Sequence, residues 1–320
     1  MMIQTNQEIQ ESQKLILNLK KEKDVTILAH YYQTLEIQEI ADFVGDSLGL
    51  SKIARDHTNT KNIIFAGVLF MAETASILNP GKRVLMPDKQ AGCPLASFLD
   101  GNTVNIYKEK YPRVPIVVYI NSTAETKAET DVVCTSSNAI KVVQGIQNEF
   151  KSKKVLFGPD ENLADYVRQK TGINIINLPD EGFCYVHNVI KDLDVIKVKN
   201  EHPNALITVH PECKREVREL ADHIGSTKGM YDYVKKNASK GNEFIIGTEL
   251  GFVQRVQKDF PNNKIYPIKE NFICRNMKLS TLEKIFNLLN NLNNDKHKVT
   301  VPDNIANKAR ICLEKMLKYS

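Results

Sequence analysis

The chain has 320 residues, 42% of them apolar and 25% charged, which excludes the disordered and fibrous classes and leaves room for two domains, or three of about 100 residues each. Its formal net charge of +5 is spread along the sequence, which mildly favours small anions and is too diffuse for a nucleic-acid surface. The longest apolar stretch, Ile63 to Ala72, is about half a membrane span and contains Gly67.

The start of the chain, Met1 to Lys14, is polar and lacks the apolar centre of a secretory signal, so a cytosolic protein with no membrane partner is expected. Its six cysteines are then expected as thiols, metal ligands or core residues, not disulfides. After an N-terminal helix, short β-branched or aliphatic runs predict strands at Asp24 to Ala29, Asn62 to Ala66, Arg83 to Met86, Val114 to Val118 and Asp131 to Cys134. Further strands are predicted at Lys154 to Phe157, Asn174 to Leu178, Ala205 to Val209, Glu243 to Ile246 and Lys264 to Tyr266. Amphipathic segments separate them. Pro159-Asp160-Glu161 opens a helix to about Lys170, and Thr248-Glu249 opens one to about Lys258. From about Thr281 to Ser320 the pattern predicts amphipathic helices around an Asn-rich turn. Strands alternating with helices predict parallel sheets.

Whole segments recur at intervals near 90 residues. Cys93, Cys184 and Cys274 stand 91 (93 to 184) and 90 (184 to 274) residues apart. Gly67, Gly158 and Gly247 each end a strand before a helix. His30, Tyr119 and His210 occupy the carboxyl ends of equivalent strands, with Tyr32, Asn121 and Glu212 two residues further on, and Ser47, Ser136 and Thr227 form a fourth column. Four columns in one order imply a triplicated unit: an α/β protein of three similar three-layer αβα repeats with parallel sheets, closed around a pseudo-threefold axis. The expected division is 1–108, 109–198 and 199–280, with C-terminal helices over 281–320 packing on the body. Polar strand ends would then face one central crevice.

Three thiols, one per repeat, make a trigonal set that suits an iron–sulfur cluster with one iron lacking a protein thiolate, or zinc with a water. Gly92, Gly182 and Pro94 in the cysteine loops would let the backbone approach a bulky group, which favours the cluster. Cys134 and Cys312 lie in apolar patterns and are expected in the core, and Cys213 falls outside the column. His30 and His210 suit proton transfer or anion binding. Glu212, placed at a predicted helix start after Pro211, suits acid/base work, and Tyr119 and Asn121 suit hydrogen bonding to a carboxylate. Ser47, Ser136 and Thr227 fit helix N-caps, and an inward-pointing helix N-terminus also binds anions. His57, His202, His223 and His297 are expected as surface or structural residues. There is no Walker loop, dinucleotide fingerprint, His-Glu-x-x-His or nucleophile elbow.

The motifs Ala29-His30-Tyr31-Tyr32-Gln33, Gly45-Asp46-Ser47, Tyr119-Ile120-Asn121-Ser122, Val133-Cys134-Thr135-Ser136-Ser137-Asn138, Gly158-Pro159-Asp160 and His210-Pro211-Glu212-Cys213 closely resemble the quinolinate synthase family of NAD biosynthesis, from about Asp24 to Lys278. The resemblance implies condensation of iminoaspartate with dihydroxyacetone phosphate to quinolinate, with loss of phosphate and two waters. It implies one [4Fe–4S] cluster held by Cys93, Cys184 and Cys274, its open iron acting as a Lewis acid. By the same likeness Tyr32 and Glu212, with His30, carry proton transfer, while His30, Tyr119, Asn121, Ser136, His210 and Thr227 bind substrates and Ser47 and His187 belong to the site. Supply of unstable iminoaspartate by an aspartate-oxidising enzyme is expected. Two positions depart from many relatives: Asn271 and Met277 flank Cys274 where some carry further cysteines, and Ser97 stands where many carry an acid. A radical iron–sulfur enzyme of the diphthamide-synthesis type and a non-catalytic metal sensor are the competing readings.

Overall fold

The computed structural model describes residues 5–56, 59–239 and 241–319; His57 lies outside them. The described residues form three parallel four-stranded sheets flanked by helices, so the α/β repeat expected from the sequence is present. The first sheet contains β1 (Val25–His30), β2 (Phe43–Gly45), β3 (Asn62–Ala66) and β4 (Arg83–Leu85) in the order β2-β1-β3-β4. The second contains β5 (Ile116–Tyr119), β6 (Val132–Cys134), β7 (Lys154–Gly158) and β8 (Asn174–Asn177), ordered β6-β5-β7-β8. The third contains β9 (Leu206–Val209), β10 (His223–Ile224), β11 (Phe244–Gly247) and β12 (Ile265–Pro267), ordered β10-β9-β11-β12.

One topology used three times places the strand-order reversal between the two central strands of each sheet, where open α/β sheets bind ligands. The sequence reading missed only β2 and β10. They are edge strands of three and two residues, half-buried apart from Gly45, so no buried aliphatic run marks them as Val132-Val133-Cys134 marks the equally short β6.

A carboxylate ties each edge strand in place. The Ile27, Ile116 and Ile207 amides donate to Asp42, Asp131 and Asp222 at 2.8, 2.7 and 2.8 Å, each pair 15 residues apart. A second buried column does similar work on the loops after the central strands. Gln38 donates to the Tyr31 and Gln33 carbonyls at 3.0 and 2.9 Å, and Lys127, fully buried, donates to the Ser122 carbonyl. In the third repeat Arg218 holds this position but turns to Asp165 (2.5 Å) and Gln169 (3.1 Å) on the helix Glu161–Thr171.

The chain divides into two compact units: the stretch up to Cys93 together with Cys274–Pro302, and Pro94–Ile273 together with the stretch from Asp303. The first holds the first sheet. The helix Asn6–Glu22 begins with a Thr5–Glu8 capping box and buries Ile16 against Val25, Ile27 and the helix Leu282–Asn290. Lys20 lays its stem along that core and delivers its ammonium to the Ile40 carbonyl and Asp42 (2.6 and 2.9 Å). The second unit holds the other two sheets, with Leu99, Val104, Ile116, Val118, Leu156 and Leu178 packed on one face of the second. The two C-terminal helices therefore part company: Leu282–Asn290 belongs to the first unit and Asp303–Lys318 to the second.

Candidate active site

In the first unit His30 ends β1 with its Nδ1 accepting the Tyr32 amide at 3.1 Å, and the two rings meet edge to face at 4.5 Å. Lys278 donates to the Tyr32 carbonyl. The Tyr32 main chain is thus gripped on both sides of its Cα. Ser47 is half-buried at the first turn of the helix Ser47–Asp56, where Asp46 accepts the Gly49 amide at 2.8 Å.

The second unit repeats the histidine turn at His210, whose Nδ1 accepts the Glu212 amide at 3.3 Å. Here the residue two positions on is a carboxylate, and it becomes the centre of a buried network. Tyr119, from the end of β5, donates its hydroxyl to Glu212 Oε1; Ser136 in turn bonds Tyr119. His187 Nδ1 lies 2.8 Å from Glu212 Oε2, and its Nε2 lies 2.9 Å from Thr248 Oγ1. The His187 and His210 rings stack at 4.5 Å. Tyr119, His187, His210, Glu212 and Thr248 are all at most 5% exposed.

Burial alone would raise the Glu212 carboxyl. The His210 and His187 imidazoles, with hydrogen bonds from His187 and Tyr119, outweigh it and hold Glu212 down at about 2. The same environment drives the Tyr119 phenol well above its ordinary value, through burial first and the Glu212 charge second. So the network carries an ionised carboxylate and a protonated phenol at neutral pH. Nearby, Asp160 is fully buried and is pushed up by burial and by Glu212, even though its two oxygens accept the Leu163 and Cys184 amides at 2.7 and 3.1 Å.

The three column cysteines share a local anchor. In each repeat the first residue of the helix that follows β3, β7 or β11 donates its amide to a carbonyl two residues before the cysteine: Leu69 to Ala91, Glu161 to Gly182 and Leu250 to Phe272, at 2.8, 2.7 and 2.8 Å. Cys93, Cys184 and Cys274 are all half-buried, whereas Cys134, Cys213 and Cys312 are buried, as expected for the first and last of these. Cys184 opens the short helix Tyr185–Asn188 that also carries His187. Its Sγ, one His187 ring nitrogen and one Glu212 oxygen lie within 4.8 Å of one another, a set able to hold a metal ion.

Some sequence expectations need correction. Ser47 and Thr227 are first helical residues, not caps; Ser226 caps the helix Thr227–Ala238 through Gly229 (3.2 Å), and Asn138 precedes the helix Ala139–Phe150, leaving Ser136 two residues earlier in the turn. A cap's hydroxyl would be consumed by a backbone amide, so Thr227 and Ser136 keep theirs for other partners. Glu212 lies in the turn after β9, and the next helix starts only at Arg215. Gly182 is required because a Cβ there would strike the Pro159 carbonyl, so the anchor described above explains it; at Gly92 a Cβ would meet nothing within 4 Å. Asn121 is half-buried in the β5 loop. Asp160 and Thr248 were missed by sequence reasoning, although their places beside Gly158 and Gly247 in the repeat were a signal.

Comparison with known proteins follows the same lines. The family model described as Quinolinate synthetase A protein matches residues 14–318. The chain is 47% identical to a quinolinate synthase of Methanothermobacter thermautotrophicus over 98% of its length and 99% of the relative's. It is 46% identical to one of Pyrococcus furiosus (98% and 100% covered) and 48% identical to one of Clostridium kluyveri (94% and 96%). With identity this high along nearly all of each sequence, the chain belongs to the quinolinate synthetase A protein family.

Proposed function

We propose that this chain condenses iminoaspartate with dihydroxyacetone phosphate to give quinolinate, phosphate and two waters, with one [4Fe–4S] cluster held by Cys93, Cys184 and Cys274. The donor set fits that group. The half-buried thiols are those of the repeat column, each on a loop pinned by the same amide-to-carbonyl bond, while the remaining three are sealed in the core. Bound there, the cluster supplies a Lewis-acidic iron corner for polarising a substrate oxygen.

The observation that carries the reading is the Ser136–Tyr119–Glu212–His187–Thr248 chain beside Cys184. Dehydration and ring closure need protons removed from carbon and delivered to departing hydroxyls. Glu212 and His187, joined at 2.8 Å, are placed to pass a proton between them in a site shielded from water, and the Tyr119 hydroxyl donates to the same carboxylate. Tyr32, its main chain gripped by His30 and Lys278, is the corresponding group of the first unit. His30, Ser47, Asn121, Ser136, His210 and Thr227 suit the substrate carboxylates and phosphate. A donor of iminoaspartate, an enzyme oxidising aspartate, is the expected partner, and no helix among the described residues is long and apolar enough to cross a membrane.

Anaerobic purification with iron and sulfide counting, followed by incubation with both substrates and chromatography for quinolinate, tests the proposal. Four irons and four sulfides per chain and quinolinate formation are expected, with cluster and product both lost in Cys184→Ala. A full cluster in that variant refutes the ligand assignment, and a cluster-loaded wild type making no quinolinate refutes the reaction.

A further inference from the structure

Lys284 stands in the first turn of the helix Leu282–Asn290, which Thr281 caps by accepting the Lys284 amide at 3.2 Å. A cation there opposes the positive end of the helix dipole, so its place calls for a partner. It has two, both within the first unit. The ammonium donates to Asp88 Oδ2 at 2.6 Å and to the Leu279 carbonyl at 2.9 Å. Asp88 opens the loop that ends in Cys93: its Oδ1 accepts the Gln90 amide at 2.8 Å, and the Gln90 carbonyl accepts the Gly92 amide at 2.7 Å. Leu279 closes the turn that begins at Cys274, where the Lys278 amide reaches back to the Cys274 carbonyl at 3.3 Å. One ammonium therefore joins two of the three cysteine loops.

Ties of the same kind recur in the second unit. Asp180, in the loop before Cys184, accepts from the Tyr107 hydroxyl at 3.3 Å on the helix Gly101–Lys110. Lys269, in the loop before Cys274, pairs with Asp194 at 2.5 Å on the helix Asp192–Glu201. In all three cases the partner helix is the one that follows the cysteine of the preceding repeat, the third counting as preceding the first. Three incidental surface pairs would not keep that order. We propose that Lys284 is a positioning residue that holds the Cys93 and Cys274 loops, through Asp88 and Leu279, in the arrangement that receives the cluster, with Tyr107–Asp180 and Lys269–Asp194 as its counterparts in the other repeats. The inference rests on the cluster assignment above. A partly exposed ion pair adds little to global stability, so its effect falls on the loops themselves. Without the ammonium the two loops lose their common anchor, and the group they hold is released sooner.

Lys284→Met keeps the stem and removes the ammonium, whereas Lys284→Arg keeps the charge. Anaerobic iron release to ferrozine should be about 10-fold faster in Lys284→Met, with Lys284→Arg near wild type. In the metal-free full-length chain, iodoacetamide alkylation followed by mass spectrometry should change about two- to fivefold at Cys93 and Cys274 and stay the same at Cys184, while the melting temperature moves by less than about 3 °C. Asp88→Ala should reproduce both effects, and the two changes combined should fall short of the product of their separate effects. Unchanged iron release, unchanged alkylation at Cys93 and Cys274, or an equal change at Cys184 each overturns the inference. So does a larger fall in melting temperature, which marks a merely structural role. A wild type that takes up no cluster refutes the assignment above, and the alkylation pattern then decides the role of Lys284 alone.

Discussion

Replacing Tyr119 by Phe removes one hydroxyl from the interior and leaves the ring in place. The hydroxyl donates to a carboxylate that is 2% exposed, so water cannot replace it at Oε1. A hydrogen bond to a buried charged group is worth about 1.5 to 3 kcal/mol, and Ser136, half-buried, can turn to solvent, so a loss of about 2 kcal/mol is expected at neutral pH. The pH dependence follows from Glu212. Its folded value of about 2 lies below the ordinary 4.5, so its stabilisation is complete above pH 4.5 and is lost as pH falls towards 2. At about 1.4 kcal/mol per unit, the whole displacement corresponds to roughly 3 kcal/mol, of which the tyrosine accounts for part. In Tyr119→Phe the folded value moves back up, and the deficit against wild type should narrow as pH falls below 4.5, because a protonated Glu212 no longer needs the donor as an anion does. Urea unfolding of the metal-free chain, followed by circular dichroism from pH 7 to pH 3.5, measures both quantities. An unchanged midpoint at pH 7, or a deficit that widens on acidification, refutes the assignment of Glu212 as an anion held by Tyr119.

Two further predictions concern the repeated scaffold. Asp131→Ala strips the Ile116 amide of its acceptor and should cost about 1.5 to 3 kcal/mol in the same unfolding assay, with Asp131→Asn recovering at least half; equal stability of the two variants would deny the carboxylate oxygen its role. Lys127→Gln should melt close to wild type, because Gln38 already performs this task in the first repeat, whereas Lys127→Met leaves the Ser122 carbonyl without that donor and should cost about 1 to 3 kcal/mol and raise KM through the adjoining Asn121; a methionine variant as stable and active as glutamine would contradict this.

The triplication was legible in the chain itself, because each copy must solve the same local problem with the same residues. Period and order were enough to expose ten of the twelve strands among the described residues, the glycines and the cysteine column. The Gly158 position shows why such columns are visible: a Cβ there would run into the Leu178 carbonyl, a steric demand that follows from strand packing and admits no other residue. The Asp42, Asp131 and Asp222 column was equally periodic but went unread, since an aspartate between a helix and a short strand looks like any turn residue until its amide partner 15 positions back is known.

The chemistry of the site was another matter. Tyr119 and Glu212 stand 93 residues apart, and only the packing of the second and third sheets within one unit makes them a single buried pair. The repeat marks the place of Thr248 beside Gly247, but not its role behind His187 or the hydrogen bond between His187 and Glu212, because residues that do different jobs in different copies share only their position. Local sterics and backbone hydrogen bonds act over a few residues and are written in the sequence; the charge state of a carboxylate depends on which distant dipoles and rings close around it, and that is decided only when the chain has folded.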